Sequence, residues 1–249
     1  MTTLSNKGTF SAKRPVLAVI IIEVLLLIAM FAAGAYAQIK QLDYTSPVII
    51  AFTPIALVLV VYLTIRRKWN ALGFESIRKI PSSNWIYYLP LVLVLGINCI
   101  NGFKSTSAST LLYFIGFTLL VGFVEETIYR GLILRTLLAK GVTTAVATSS
   151  ILFAVTHILN ALSGQSLFDT ILQIVYALLV GLVLALLIIM NNNILPLITF
   201  HFIHNLIQFM SPSNSFWYGN LLVIVILALQ AIWLIVSLRK VPIQSALAS

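Results

Sequence analysis

Apolar residues dominate this chain in long, nearly charge-free runs. Eight can be drawn, at residues 15–37, 46–65, 85–103, 108–124, 142–162, 167–190, 194–210 and 216–238. A run of this length can cross the ~30 Å hydrocarbon slab of a bilayer as a helix. The fourth run is expected to continue as a helix past Arg130. The fifth and sixth are separated only by a short Ser-Gly-Gln-Ser link, which predicts a hairpin. The pattern predicts an all-α, polytopic bundle of about eight membrane helices. All 249 residues are expected to form one integral membrane domain.

Composition agrees. Sixty per cent of the residues are hydrophobic and 8% are charged. Soluble domains carry about a quarter charged residues, so this set cannot cover a water-facing surface. The first apolar run is too long for a signal-peptide core and is expected to be retained as a helix. The single cysteine, Cys99, forms neither an internal disulfide nor a metal cluster. It reads as a small buried apolar residue.

The net charge of +9 acts as a topology signal. With the N-terminus inside, the inner segments hold Lys7, Lys13, Arg14, Arg66, Arg67, Lys68, Arg78, Lys79, Arg135, Lys140, Arg239 and Lys240. The outer segments hold only Lys40 and Lys104. The positive-inside rule then predicts eight spans with both termini cytoplasmic. The basic residues also suit anionic lipid headgroups. Without aromatic-basic repeats or a Gly-rich phosphate loop, nucleic acid is not an expected partner. The largest inner loop, 66–84, carries Trp69, Leu72 and Phe74 among its charges. It reads either as an interfacial amphipathic segment or as a plain basic loop.

Polar residues inside the apolar runs carry the chemistry. Ionisable groups in a bilayer are costly unless paired or hydrated, so their default reading is functional. Glu125 and Glu126 sit at the inner end of the fourth run, and the three histidines, His157, His201 and His204, lie in later runs. Glu126 and Arg130 are four apart, acid first, the favoured order for an ion pair on one helix face. Glu125 points about 100° away, has no local partner, and suits a general base. Phe153 lies one turn from His157 and can wall a site against water. His157 can orient a water or bind a metal. His201 and Asn205 are four apart and can both donate to a developing oxyanion. His204 lies about 60° from His201 around the helix axis and is a weaker candidate. A Glu-Glu-Arg cluster can instead pin helices together, and a membrane histidine can be a plain helix contact. Helix pinning needs one pair. A carboxylate dyad, two histidines and an amide on three helices favour a catalytic site.

Other polar residues have simpler readings. Glu23 is expected to face the bundle interior in a structural role. Asn98 reads as an interhelical hydrogen-bonding residue, and Asp169 as a favourable charge at a helix N-terminus. Tyr87, Tyr88 and Trp217 read as interfacial belt residues.

Three ordered motifs carry a resemblance. Glu125-Glu126-xxx-Arg130 followed by Gly131, Phe153-xxx-His157 and His201-xxx-Asn205 resemble those of the CPBP (Abi) intramembrane peptidases. Relatives in that family include the eukaryotic endoprotease that trims prenylated CaaX proteins. The motif-bearing core spans about 108–210. The resemblance implies a peptidase site sunk in the membrane and open toward the cytoplasm. It implies Glu125 as the base that activates water, His157 as its partner, and Glu126 and Arg130 as shaping the site. His201 and Asn205 would stabilise the oxyanion. The family has also been called metalloprotease. Glu125, His157 and His201 can be zinc ligands, and a metal-free, glutamate-activated water is the other option. No HExxH motif puts ligands and base on one helix.

The expected function is hydrolysis of a peptide bond in a membrane-associated or lipid-anchored substrate, in a multi-pass cell membrane protein. The small size and short loops suggest a bacterial plasma membrane. The alternative is a non-catalytic immunity or scaffold protein that binds a bacteriocin-like peptide. A transporter is disfavoured because the sequence shows no internal repeat and no broken helix pair.

Overall fold

The computed structural model describes residues 10–100, 102–159, 165–212 and 217–240. The expected end of the fifth run at residue 162, its start of the eighth at Phe216, and Lys7 lie outside these residues, as do the side chains of Trp217 and Lys240. Among the described residues a single helical turn, Phe10–Lys13, is followed by eight α-helices of eleven residues or more. They are α1 (Pro15–Ile39), α2 (Ser46–Ile65), α3 (Leu89–Cys99), α4 (Ala108–Glu126), α5 (Val142–Thr156), α6 (Leu167–Asn191), α7 (Leu195–Met210) and α8 (Trp217–Lys240). Among the described residues there is no strand, and the fold is a helical bundle.

Local chemistry sets the helix starts. Helices α1, α2, α3 and α7 begin with proline in their first two positions, where a missing N–H costs nothing. The Oγ of Ser107 caps α4 by accepting from Thr110 N–H, and Ser166 caps α6 through Asp169 N–H.

Five helices are long and apolar enough to cross a membrane: Pro15–Ile39, Ser46–Ile65, Ala108–Lys140, Leu167–Asn191 and Tyr218–Arg239. The other three expected spans are shorter. The third run is a 3₁₀ helix, Ser82–Tyr88, leading into the 11 residues of α3. The wider pitch of the 3₁₀ part, about 2 Å per residue, still carries the pair roughly 30 Å along the bundle. Helices α5 and α7 have 15 and 16 residues and rise only about 22–24 Å. Helix α5 stops at Thr156, with His157 as its C-cap.

The core sits between α4, α6 and α7. Helix α6 packs on α5 and α8, and α7 packs on α4 and α3. Val183, Leu184, Ala185 and Leu187 of α6 are fully buried, as are Leu197 of α7 and Leu227 of α8. Outward-facing residues of α1, α2 and α8 are large and apolar: Leu25, Phe31, Leu57, Val58 and Leu229 are all more than 60% exposed. A water-facing surface would not carry such a belt; a lipid-facing one must.

The loop between α2 and α3 is neither a loose basic loop nor a segment lying apart in the interface. Leu72 and Ile80 are buried, and Phe74 packs on Phe123 with ring centroids 6.0 Å apart. The turn between α6 and α7 receives it. Ile194 N–H donates to Gly73 O at 2.9 Å, and Asn193 Nδ2 donates to the carbonyls of Glu75 and Ser76. Arg135 Nη2 donates to Asn192 Oδ1 at 2.7 Å beside it. Of the expected belt residues, Tyr88 is buried and receives Asn191 Nδ2, while Tyr87 packs on Trp233.

Gly73 is needed twice at this junction. Its φ is +86°, and a Cβ there would lie 3.0 Å from Asn192 O and 2.8 Å from Arg135 Nη2. Gly73→Ala is expected to lower stability by about 1–2 kcal/mol from backbone strain alone. That corresponds to a melting-temperature loss of several degrees for a chain of this size in detergent. An unchanged melting temperature would mean the loop is not seated as described.

Candidate active site

The site begins with a break in helix α4. After Glu126 the chain continues as a π-helix, Thr127–Leu134, before Arg135–Leu137 and a 3₁₀ turn end it at Lys140. The wider π turn displaces backbone groups from the α-helical ladder. One of them, Tyr129 O, accepts a hydrogen bond from Ser149 Oγ of α5 at 2.8 Å. The break therefore docks on α5, the helix that carries Phe153 and His157.

Two glycines let the neighbouring helices close in. A Cβ on Gly122 would lie 3.2 Å from both Ile198 O and Phe202 N of α7. This crossing brings His201 against the two glutamates. A Cβ on Gly181 would lie 3.2 Å from the Phe153 ring and 3.3 Å from Ser150 Cα. That crossing holds α5 against α6. Small residues at such crossings allow backbone approach between membrane helices.

The charged groups form one chain. Arg130 Nε lies 3.2 Å from Glu126 Oε2, and neither side chain is exposed. Glu126 Oε1 is 2.9 Å from His201 Nδ1. On the other side of the ring, His201 Nε2 lies 3.4 Å from Glu125 Oε2. That last contact is not a hydrogen bond, and Glu125 Oε2 has no hydrogen-bond donor within the protein. Glu125 is the more open end of the chain, with its side chain 18% exposed against none for Glu126. Arg130 is further held by Gly181 O at 3.4 Å and by the face of Phe153, 4.4 Å from Cζ to the ring centre. A cation above an aromatic face is stabilised most where water is excluded.

Phe153 is the hub. Its ring meets His157 edge-on at 5.1 Å, His201 at 5.8 Å and Tyr129 at 5.3 Å. His157 Nδ1 is 2.9 Å from Phe153 O. A carbonyl can only accept, so Nδ1 carries the proton and Nε2 is left as an acceptor in the neutral ring. His157, Glu125, His201 and Asn205 all line one cavity of about 1330 Å³.

The structure thus brings Glu125, His201, Asn205, His157, Phe153, Glu126 and Arg130 together. It differs from the sequence expectation in how they are joined. The sequence sets His201 with Asn205 at the oxyanion, or with Glu125 and His157 as ligands; in the structure its ring lies between the two carboxylates. Asn205 Oδ1 is turned to His204 Nδ1 at 3.4 Å. Sequence reasoning missed Tyr176. Its hydroxyl is 2.6 Å from His204 Nε2, and the rings stack 5.1 Å apart. The signal was present: Asp169, Gln173 and Tyr176 recur at one-turn spacing on α6 and all line the cavity. Asn98 also lines it, and its buried Nδ2 has no partner within the protein, unlike the interhelical bond expected. Glu23 is buried, with Oε2 unbonded.

Among the described residues no three His, Cys, Asp or Glu side chains converge to hold a metal ion. His201 Nδ1 is already taken by Glu126 Oε1, and the set Glu125, His157 and His201 is not gathered as a three-ligand zinc site.

The cavity's lining extends toward one end of the bundle, to Asp43, Tyr44, Asp169 and Asn220. This is the end opposite the docked 66–84 loop.

The comparisons with known proteins come to bear here. No curated protein matches the chain. Residues 107–207 match the family described as Type II CAAX prenyl endopeptidase Rce1-like. That stretch holds every residue of the Arg130–Glu126–His201–Glu125 chain together with Phe153, His157 and Asn205. With its long apolar helices, the chain is a multi-pass membrane protein, and the segment that builds its buried polar site is similar to the Rce1-like type II CAAX prenyl endopeptidases.

Proposed function

We propose that the protein is an intramembrane endopeptidase that cleaves a peptide bond of a membrane-associated substrate with a water activated by Glu125. The observation that carries this reading is the Glu125 carboxylate on the cavity wall, whose buried Oε2 has no hydrogen-bond donor among the described residues and lies 3.4 Å from an imidazole nitrogen. An ionisable acceptor held this way in a membrane bundle is costly unless it is used. The family match over residues 107–207 supports a peptidase.

The chemistry balances with this chain's own groups. Water gives a proton to Glu125 as its oxygen attacks the scissile carbonyl carbon. His157 Nε2, left as an acceptor by its bond to Phe153 O, holds the same water from the second wall. The new oxyanion meets Asn205 and the protonated Nε2 of His201. Collapse breaks the C–N bond, and the departing amine takes the proton from Glu125. Glu126 and Arg130 hold His201 from behind. Phe153 keeps bulk water from the ion pair. The small size and short loops support a bacterial plasma membrane as the setting.

Glu125→Gln keeps the shape and removes the base. Cleavage of a peptide library by the purified variant is expected to fall by roughly 10²-fold or more, with unfolding in detergent unchanged. Equal product patterns would remove Glu125 from the mechanism. The buried pair makes a separate stability prediction. Arg130→Met leaves the buried Glu126 without its cation and with only His201 beside it, and is expected to cost about 3–5 kcal/mol. Adding Glu126→Gln to Arg130→Met is expected to restore most of that loss in thermal unfolding. A single variant as stable as wild type would contradict the ion pair.

A further inference from the structure

His204 is the one histidine that the proposed reaction leaves unused. It is buried on α7 and lines the cavity one residue before Asn205. Its ring is held on its faces: Tyr176 of α6 stacks with it at 5.1 Å, and Phe200 at 5.7 Å. Both ring nitrogens are engaged. Nδ1 lies 3.4 Å from Asn205 Oδ1. Nε2 lies 2.6 Å from Tyr176 Oη and 3.5 Å from Gln208 Nε2.

Donor accounting places the protons. An amide oxygen only accepts, so Nδ1 of His204 carries the proton. In the neutral ring Nε2 is then an acceptor, and the Tyr176 hydroxyl donates to it. The Gln208 side-chain nitrogen, which only donates, agrees with this assignment. The hydrogen bonds therefore run one way, from Tyr176 to His204 and from His204 to Asn205. The short first link sets the tautomer, and the longer second link reads it.

The direction matters because the two ends of the Asn205 amide are chemically opposite and nearly identical in shape. With Oδ1 held by His204, the NH2 group is the end left for the cavity that Asn205 lines. That end stabilises a developing oxyanion, and the carbonyl end would repel it. A proton moved to Nε2 of His204 would turn Nδ1 into an acceptor, which would hold the NH2 group instead. A plain contact between α6 and α7 would be complete with Tyr176 and His204. The onward link to Asn205 ties the pair to the site.

Resting on the peptidase reading, we infer that Tyr176 and His204 are positioning residues, which fix one tautomer of His204 and so keep the donor end of Asn205 toward the scissile carbonyl. Neither touches the reacting atoms. Their effect passes entirely through Asn205.

The test uses the full chain in detergent, isotopically labelled at the histidine nitrogens and observed by NMR. The chain has three histidines, and the His204 signals are those lost in His204→Gln. Wild type is expected to show His204 protonated at Nδ1 and bare at Nε2. Tyr176→Phe keeps the ring and removes the donor, so part of the His204 population is expected to move its proton to Nε2, in a variant that still unfolds cooperatively. Protonation of Nε2 in wild type, or an unchanged tautomer in Tyr176→Phe, overturns the inference. On the best-cleaved peptide of a library, Tyr176→Phe is expected to lower kcat about two- to tenfold, the range of one neutral hydrogen bond, with KM unchanged. Added to Asn205→Ala, it is expected to cost nothing further. A rise in KM alone, or a further loss in the Asn205→Ala background, overturns the inference. No cleavage by folded wild type sinks the peptidase reading and the oxyanion role with it, while the ring signals decide the tautomer separately.

Discussion

A fully buried arginine among apolar helices must be matched, and the matching of Arg130 organises this protein. Its charge is met by Glu126 one turn back, its plane by the face of Phe153, and one of its donors by Gly181 O. These partners come from three helices. The interaction is therefore a structural knot before it is part of a site. It also explains why two close helix crossings are built on glycine. A methyl at Gly122 or Gly181 would push away the backbones that bring His201 and Phe153 to the pair.

Function follows from the charge left over. Glu126 is spent on Arg130 and His201, while Glu125 lies against only the far nitrogen of that ring and lines the cavity with its side chain 18% exposed. Two adjacent carboxylates thus have different surroundings, one sealed and one open. Neighbouring groups whose environments are pushed apart are how a single site separates structural from chemical roles. The π-helix after Glu126 serves the same end, because its displaced carbonyl at Tyr129 docks on Ser149 of the helix carrying His157.

Much of the fold was legible in the sequence because membrane helices announce themselves by composition. The runs at 46–65 and 167–190 end within a residue of the helices. The ion pair was legible too, because i,i+4 spacing is a local rule. What failed was non-local. Spacing on one helix sets His201 with Asn205, but its contact with Glu126 across the Gly122 crossing is not visible in the sequence. Tyr176 was overlooked because a membrane tyrosine alone says little, and only the fold sets it against His204. The third run looked like a full span, yet its first part is a 3₁₀ helix. The basic loop hid a backbone junction that depends on one glycine with positive φ.

The central claim is that the buried pair acts on the open carboxylate through His201. A double-mutant cycle on cleavage rate tests this most directly, using Glu126→Gln, His201→Gln and the two combined. If the groups act as one chain, the double variant should lose no more activity than the worse single variant, since a broken link cannot be broken again. If the two losses instead multiply, with all three variants folded, Glu126 and His201 act independently, and the chain from Arg130 to Glu125 is not the unit of function.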